Sequence, residues 1–161
     1  MIKRLTVDDI EAFHELREEA IALYPESFGS PEEEEGGEAR DAAYRRWLNG
    51  EILGAFEDGN LVGATGFYIP ADEKVQSHGQ IFTVYVRAAY RKKGIGDRLL
   101  KSILDLAKSR VDQVRLRVVH TAKDAIKTYL RNGFEIYGTE SRAVSIGNIH
   151  YDEILMEKKL K

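Results

Sequence analysis

The stretch that decides the fold is Gln80-Ile-Phe-Thr-Val-Tyr-Val-Arg-Ala-Ala-Tyr-Arg-Lys-Lys-Gly-Ile-Gly-Asp-Arg-Leu-Leu100. Its first seven residues, QIFTVYV, are rich in β-branched and aromatic side chains and predict a strand over 80–86. From Gly94 to about Arg110 the spacing of Ile95, Leu99, Ile103 and Leu106 predicts a helix with one buried stripe. Between them lies Arg91-Lys92-Lys93-Gly94-Ile95-Gly96-Asp97. Two glycines let backbone N–H groups approach a ligand closely, and the helix that follows adds its positive N-terminal end, so this is the chemistry of a phosphate cradle. Arg87, Arg91, Lys92, Lys93, Arg98 and Lys101 supply six cations there against one anion, Asp97.

Other phosphate loops fit poorly. No Gly-x-x-x-x-Gly-Lys-Ser/Thr run exists, and the dinucleotide fingerprint needs a third glycine where this chain has Leu99. Seven residues separate Val86 from Gly94, too many for the tight strand-to-helix turn of that fingerprint.

Working outward, Thr6 and Asp9 form a capping-box pattern, and Ile10, Phe13, Leu16, Ala20, Ile21 and Tyr24 trace a helical stripe that Pro25 ends. Ser27–Gly37, with Glu32–Glu35, reads as an acidic loop, and a short helix is expected from about Glu38 to Leu48. ILGAF (52–56) and LVGATGFYI (61–69) flank Asp58-Gly59 and predict a hairpin. Pro70–Gly79 is a polar connection. VRLRVV (114–119) alternates as a strand, Ala122–Asn132 reads as a helix closed by Gly133, and FEIYG (134–138) and a stretch near His150–Leu160 are the last strands. The order is that of one α+β domain over 1–161, with a crossover between the strands flanking residues 94–110.

Composition narrows the function. The chain has 161 residues, 43% hydrophobic and 32% charged, which suits one globular domain. No apolar run approaches the ~18 residues of a membrane span. The N-terminus carries no secretory pattern, so the cytoplasm is the default location. Zero cysteines exclude disulfides, thiolate metal sites and cysteine nucleophiles. His14, His120 and His150 lack metal-ligand spacing, and no metal is expected. A pI near 5.9 argues against a dedicated nucleic-acid binder. Charge is split: residues 1–80 hold 18 acidic and 7 basic side chains, residues 81–161 hold 9 and 17. On that split the second half favours an anionic ligand and the first a cationic one.

Two motifs in register carry a resemblance. VYVRAAYRKKGIGDRLL (84–100) resembles the acetyl-CoA-binding motif of the GNAT superfamily of N-acetyltransferases, and AIKTYLRNGFEIYG (125–138) resembles its downstream signature. YPESFG (24–29), the LGAFEDGNLVG hairpin (53–63), Lys74 and His78, and YDEILM (151–156) are similar to a bacterial subgroup of uncertain substrate. The resemblance implies a central mixed, mostly antiparallel sheet flanked by helices. It also implies acetyl transfer from acetyl-CoA to a small-molecule or peptide amine, with neither nucleic acid nor membrane as partner; a homodimer is compatible with it. Residue by residue, it implies that the backbone of Val84, Tyr85 and Val86 bonds the pantetheine arm and that the Val86 N–H polarises the thioester carbonyl. It makes Arg91, Lys92, Lys93, Gly94, Ile95 and Gly96 the pyrophosphate loop, with Asp97 opening the helix. Tyr129, four residues before Gly133-Phe134, is then the acid for the departing thiolate; as a residue it also fits a packed core tyrosine.

The chain departs from the family at three places. Ala122 stands where an asparagine often contacts CoA, and Gln80 and Arg117 stand where members carry a glutamate base. The base is then reached through water or is His78, which as a residue also fits a histidine bonding a loop carbonyl. Without a cysteine to hold an acyl group, the expected mechanism is direct attack in a ternary complex. The alternatives are a non-catalytic acyl-CoA-binding sensor and a transferase of another acyl group.

Overall fold

The computed structural model describes residues 1–71 and 78–161. Lys74 and the middle of the 70–79 connection lie outside the described residues.

Among the described residues seven strands form one sheet in the order β1-β2-β3-β4-β5-β7-β6. They are β1 (Ile2–Arg4), β2 (Glu51–Glu57), β3 (Asn60–Tyr68), β4 (His78–Val86), β5 (Gln113–Val119), β6 (Glu135–Ile146) and β7 (Ile149–Lys159). Every neighbouring pair is antiparallel except β4–β5. The α-helices of the described residues that flank it are α1 (Ile10–Leu23), α2 (Pro31–Glu35), α3 (Gly37–Leu48), α4 (Ile95–Lys108) and α5 (Lys123–Arg131). The expected α+β architecture with a mixed, mostly antiparallel sheet is the one observed.

Local chemistry explains the elements. Asp58 and Gly59 both take positive φ, 51° and 81°, so the β2–β3 turn twists with its strands. Thr6 and Asp9 make the capping box, with Thr6 N–H donating to Asp9 Oδ2 at 2.9 Å; it opens a 3₁₀ turn that leads into α1. Pro25 follows the end of α1, and Gly133, at φ 90°, follows α5.

Two findings depart from the sequence reading. The acidic stretch 32–35 is not a loop: Ser30 accepts from the Glu33 N–H and Pro31 starts α2. The strand read at FEIYG runs to 12 residues, because β6 and β7 pair with each other past the end of β5.

The core has two parts. One joins α4 and α5 to one face of the sheet through Leu99, Leu100, Ile103, Val114, Leu116, Tyr129 and Met156. The other joins α1 and α3 to the opposite face through Phe13, Leu16, Tyr44, Ile52, Ala64 and Tyr85. No residue of β5, β6 or β7 belongs to the second cluster, so among the described residues that half of the sheet carries no helical cover on this face.

Candidate active site

The parallel pair β4–β5 holds register only at His78↔Gln113, Gly79↔Val114 and Gln80↔Arg115. Beyond Gln80, β4 continues six residues to Val86 with no partner in β5, so the two strands part into a wedge. On its other side β4 stays joined to β3, with one irregularity: residues 83 and 84 together face Thr65. Two neighbours left apart in a sheet expose one edge of backbone N–H and C=O groups, and such groups need partners.

The groups that face the wedge can be assigned. Arg87 N–H donates to the Val62 carbonyl at 2.8 Å, which aims it at β3. Alternation along the strand turns the N–H and C=O of Val86 to the opposite edge, into the wedge. The Val86 carbonyl is already engaged there, accepting from Arg91 Nε at 2.8 Å. Val84 and Val86 pack their side chains against the α4 core, whereas Tyr85 points to the α1 side. The Tyr85 hydroxyl donates to Glu19 Oε2 at 2.6 Å, and burial together with that carboxylate pushes the phenol up to about 12.

At the end of β4 the chain makes a 3₁₀ turn over Ala88–Tyr90 and enters α4 through Gly94, at φ 81°. Its N-cap residue, Gly94, has no side chain to cap it with. Its first helical bond runs from Arg98 N–H to the Gly94 carbonyl, so the N–H groups of Ile95, Gly96 and Asp97 precede the helical ladder. A Cβ built on Gly96 would meet nothing nearer than Val86 Cγ2, at 3.9 Å. The protein's own packing therefore does not require glycine at 96; the open space lies where backbone amides converge beside the wedge. A loop that binds phosphate needs that feature.

The cations divide in two. Arg87 turns away from the cradle, donating to Glu19 Oε1 at 2.8 Å and the Leu61 carbonyl at 3.0 Å. Arg91 likewise folds back, with Nη1 donating to the Tyr24 hydroxyl at 2.7 Å and the guanidinium 5.3 Å from the Tyr24 ring centre. Lys92, Lys93, Arg98 and Lys101 remain exposed around the cradle. Lys92 holds a positive φ of 63°, and Lys93 lies 5.3 Å from the Tyr90 ring centre.

Asp97 fastens the two motifs together. It accepts from Arg131 Nη2 at 2.9 and 3.1 Å and from Asn132 Nδ2 at 2.8 Å. The Arg131 bonds, reinforced by Asn132, hold its carboxyl below the usual range. This clamp joins the first turn of α4 to the last turn of α5, which carries Tyr129. The Tyr129 ring is buried, edge-on to Phe134 at 5.8 Å, and burial pushes its phenol up. Among the described residues nothing hydrogen-bonds its hydroxyl.

His78 and Gln80 open β4 on the face away from α4, because Ile81 faces the α4 core. His78 is buried, and burial, aided by the charge of Arg115, lowers its pKa below 6.5, so the imidazole is neutral at pH 7. Arg117 is held by Glu140 at 2.7 Å and Glu153 at 3.0 Å. Among the described residues no group of three His, Asp or Glu side chains is placed to hold a metal ion, and no helix is long and apolar enough to cross a membrane.

Sequence reasoning missed a buried ion pair nearby. Arg17 bonds Glu33 through Nε at 2.8 Å and Nη2 at 2.6 Å, and the Tyr44 hydroxyl donates to Glu33 Oε2 at 2.6 Å. Burial works against the charge of Glu33, yet Arg17 and Tyr44 bring its pKa down. Arg17 sits on the apolar stripe, four residues after Phe13 and one after Leu16, and that placement was the available signal. Of the acids of residues 1–80, Glu19, Glu33 and Glu51 are engaged by arginines.

Over its full length the chain is similar to a GNAT-family acetyltransferase of Streptococcus pneumoniae, with TM-score 0.82, 20% identity and 99% of that chain covered. It is also similar to yncA of Salmonella typhimurium, solved with its cofactor acetyl-CoA, with TM-score 0.83, 19% identity and coverage of 100% of this chain and 94% of that one. At such identities these likenesses carry the fold. A curated relative, the L-amino acid N-acetyltransferase AaaT of Escherichia coli K12, is 30% identical over 84 residues; the match spans about half of each protein, 51% of both. The model of the acetyltransferase (GNAT) family matches residues 13–134, and the chain belongs to that family.

Proposed function

We propose that this protein transfers the acetyl group of acetyl-CoA to a primary amine by direct attack within a ternary complex. The observation that carries the reading is the wedge, which opens beside a helix N-terminus with glycine at its N-cap and free space over Gly96. The acetyl-CoA in the yncA structure and the name of the curated relative support the same chemistry.

The residues fit the donor. Acetyl-CoA supplies an acetyl group activated as a thioester. The amides of Ile95 and Gly96, with the exposed charges of Lys92 and Lys93, hold its pyrophosphate, and Arg91 fixes the wedge edge by holding the Val86 carbonyl. The backbone of Val84 to Val86 pairs with the pantetheine arm, and the Val86 N–H donates to the carbonyl oxygen as negative charge develops on it. Tyr129 donates its phenolic proton to the departing sulfur. His78, neutral at physiological pH, accepts the proton of the incoming ammonium, directly or through a water. Asp97 works indirectly, by clamping α5 to the cradle.

The second reading, a sensor that binds acyl-CoA without turnover, is favoured by one observation. Where members of the family carry a glutamate base, this chain has Gln80 and a doubly paired Arg117. Thiol release with a panel of amines, with the acetylated products identified by mass spectrometry, separates the two. Amine-dependent release supports transfer, and tight acetyl-CoA binding without release supports the sensor. The proposal places the reaction in the cytoplasm. It allows a homodimer through the outer edge of β6, where Ile136 and Tyr137 are exposed; sedimentation checks the assembly.

A further inference from the structure

Arg115 stands at the apex of the wedge: Gln80↔Arg115 is the last register pair before β4 and β5 part. Val114 and Leu116 on either side of it face the α4 core, so Arg115 projects from the opposite face, the one that carries His78 and Gln80 and that, among the described residues, no helix covers over β5. Its guanidinium lies 5.4 Å from the Tyr137 ring centre. Its Nε is out of solvent and has no hydrogen-bond partner. Among the described residues Arg115 forms no ion pair, although its cross-strand neighbour on β7 is Glu157. The contrast with Arg117, two residues along the same face and held by two carboxylates, is direct.

A half-buried guanidinium that rests on one aromatic ring, with Nε shut in and no carboxylate bonded to its terminal nitrogens, leaves those nitrogens open to an acceptor from solution, and such donors are costly until something supplies one. The part of the molecule that would supply it is the acceptor, because this face adjoins the neutral imidazole of His78 and the end of the strand pairing. One guanidinium matches the charge and the planar two-oxygen geometry of a carboxylate; a phosphate dianion would call for more than one cation.

We propose that Arg115 is a specificity-determining residue that takes a carboxylate of the acceptor, so that the amine acetylated here belongs to a small molecule carrying both groups, as an α-amino acid does. This rests on the acetyl-transfer reading above and replaces the cationic acceptor that the charge of residues 1–80 suggested.

The test compares L-α-amino acids with their carboxamides, which keep the amine and lose the charge. Thiol release is measured with acetyl-CoA, and binding of the same compounds is measured on enzyme saturated with desulfo-CoA, which cannot react. The expected result is that the carboxylates win in both assays. Arg115→Gln should lower kcat/KM for the amino acids roughly 10–100-fold, the scale of a lost charged hydrogen-bonding pair. Measured at about pH 8, where His78 is neutral with or without the Arg115 charge, it should leave turnover of the carboxamides and acetyl-CoA affinity unchanged, and Arg115→Lys should recover part of the loss. Equal use of carboxylates and carboxamides overturns the proposal while acetyl transfer stands. So does an Arg115→Gln variant that weakens both sets alike or weakens acetyl-CoA binding. If no compound releases thiol, the transfer reading fails; carboxylate binding that Arg115→Gln abolishes would still support Arg115, and no binding by either set would overturn it.

Discussion

Replacing Gly96 separates the needs of the fold from the needs of the ligand. The residue lies in the first turn of α4 with ordinary helical backbone, and a Cβ there stands 3.9 Å from its nearest protein neighbour, Val86 Cγ2. Gly96→Ala therefore meets no clash, and helix propensity favours it by up to about 1 kcal/mol, which in a domain of this size raises the melting temperature by roughly 2–4 °C. Binding should move the other way. A phosphate oxygen bonded to a backbone amide sits about 2.9 Å from the nitrogen, and a methyl carbon at that face takes its place. Each charge-assisted bond lost is about 1.5–3 kcal/mol, so affinity for acetyl-CoA falls roughly 10- to 150-fold, and further for Gly96→Val. Lys92→Ala, which removes only an exposed charge, should cost less than about 1 kcal/mol. Gly94 is the poorer probe, because at φ 81° any side chain strains the backbone whether or not a ligand binds. Titration calorimetry with acetyl-CoA, alongside thermal melts, reads both effects. A folded Gly96→Val variant that binds acetyl-CoA like the wild type refutes the cradle.

Tyr129→Phe keeps the buried ring and its contact with Phe134, so acetyl-CoA affinity and stability should hold while kcat falls at least about tenfold; unchanged kcat with chemistry rate-limiting would make the residue structural. Because burial pushes the phenol above its ordinary value of 10.0, the kcat–pH profile should show no limb from Tyr129 below that pH. His78 has a folded pKa below its ordinary 6.5, so the unfolded chain binds more protons, and the stability present above pH 6.5 falls as pH drops through the folded pKa. His78→Asn should remove that part of the slope in denaturant melts across pH, and an unchanged slope counts against the assignment. Glu33→Ala removes the buried carboxylate that both the Arg17 guanidinium and the Tyr44 hydroxyl bond, and should cost about 3 kcal/mol in urea unfolding; a loss under 1 kcal/mol would mean these bonds contribute little.

The elements with strong local chemistry were legible before the structure. Asp58-Gly59 fixed a hairpin because few residues accept two positive φ values in succession. The glycines of 94–96 and the stripe of α4 located the cradle and the helix behind it. What the sequence hid depends on partners far along the chain. Glu33 looked like one of four solvated acids because Arg17, sixteen residues earlier, is what draws it inward. Arg87 and Arg91 looked like phosphate ligands by proximity, yet Glu19 on α1 and Tyr24 just after it turn both away. Arg115 read as the polar half of an alternating strand. Its position at the parting of β4 and β5 exists only once the register is known, and no local pattern specifies where two parallel strands separate.

The central claim is that the wedge serves acetyl transfer to an amine, and one measurement addresses it most directly. Initial rates of thiol release are followed while acetyl-CoA and an amino acid acceptor are both varied, with the acetylated product counted in the same samples. The account predicts thiol release that requires the amine, one acetylated product per thiol, and intersecting double-reciprocal lines, as a ternary complex demands. Parallel lines would contradict direct attack, and saturable acetyl-CoA binding with no amine-dependent thiol across the acceptor panel would contradict transfer itself.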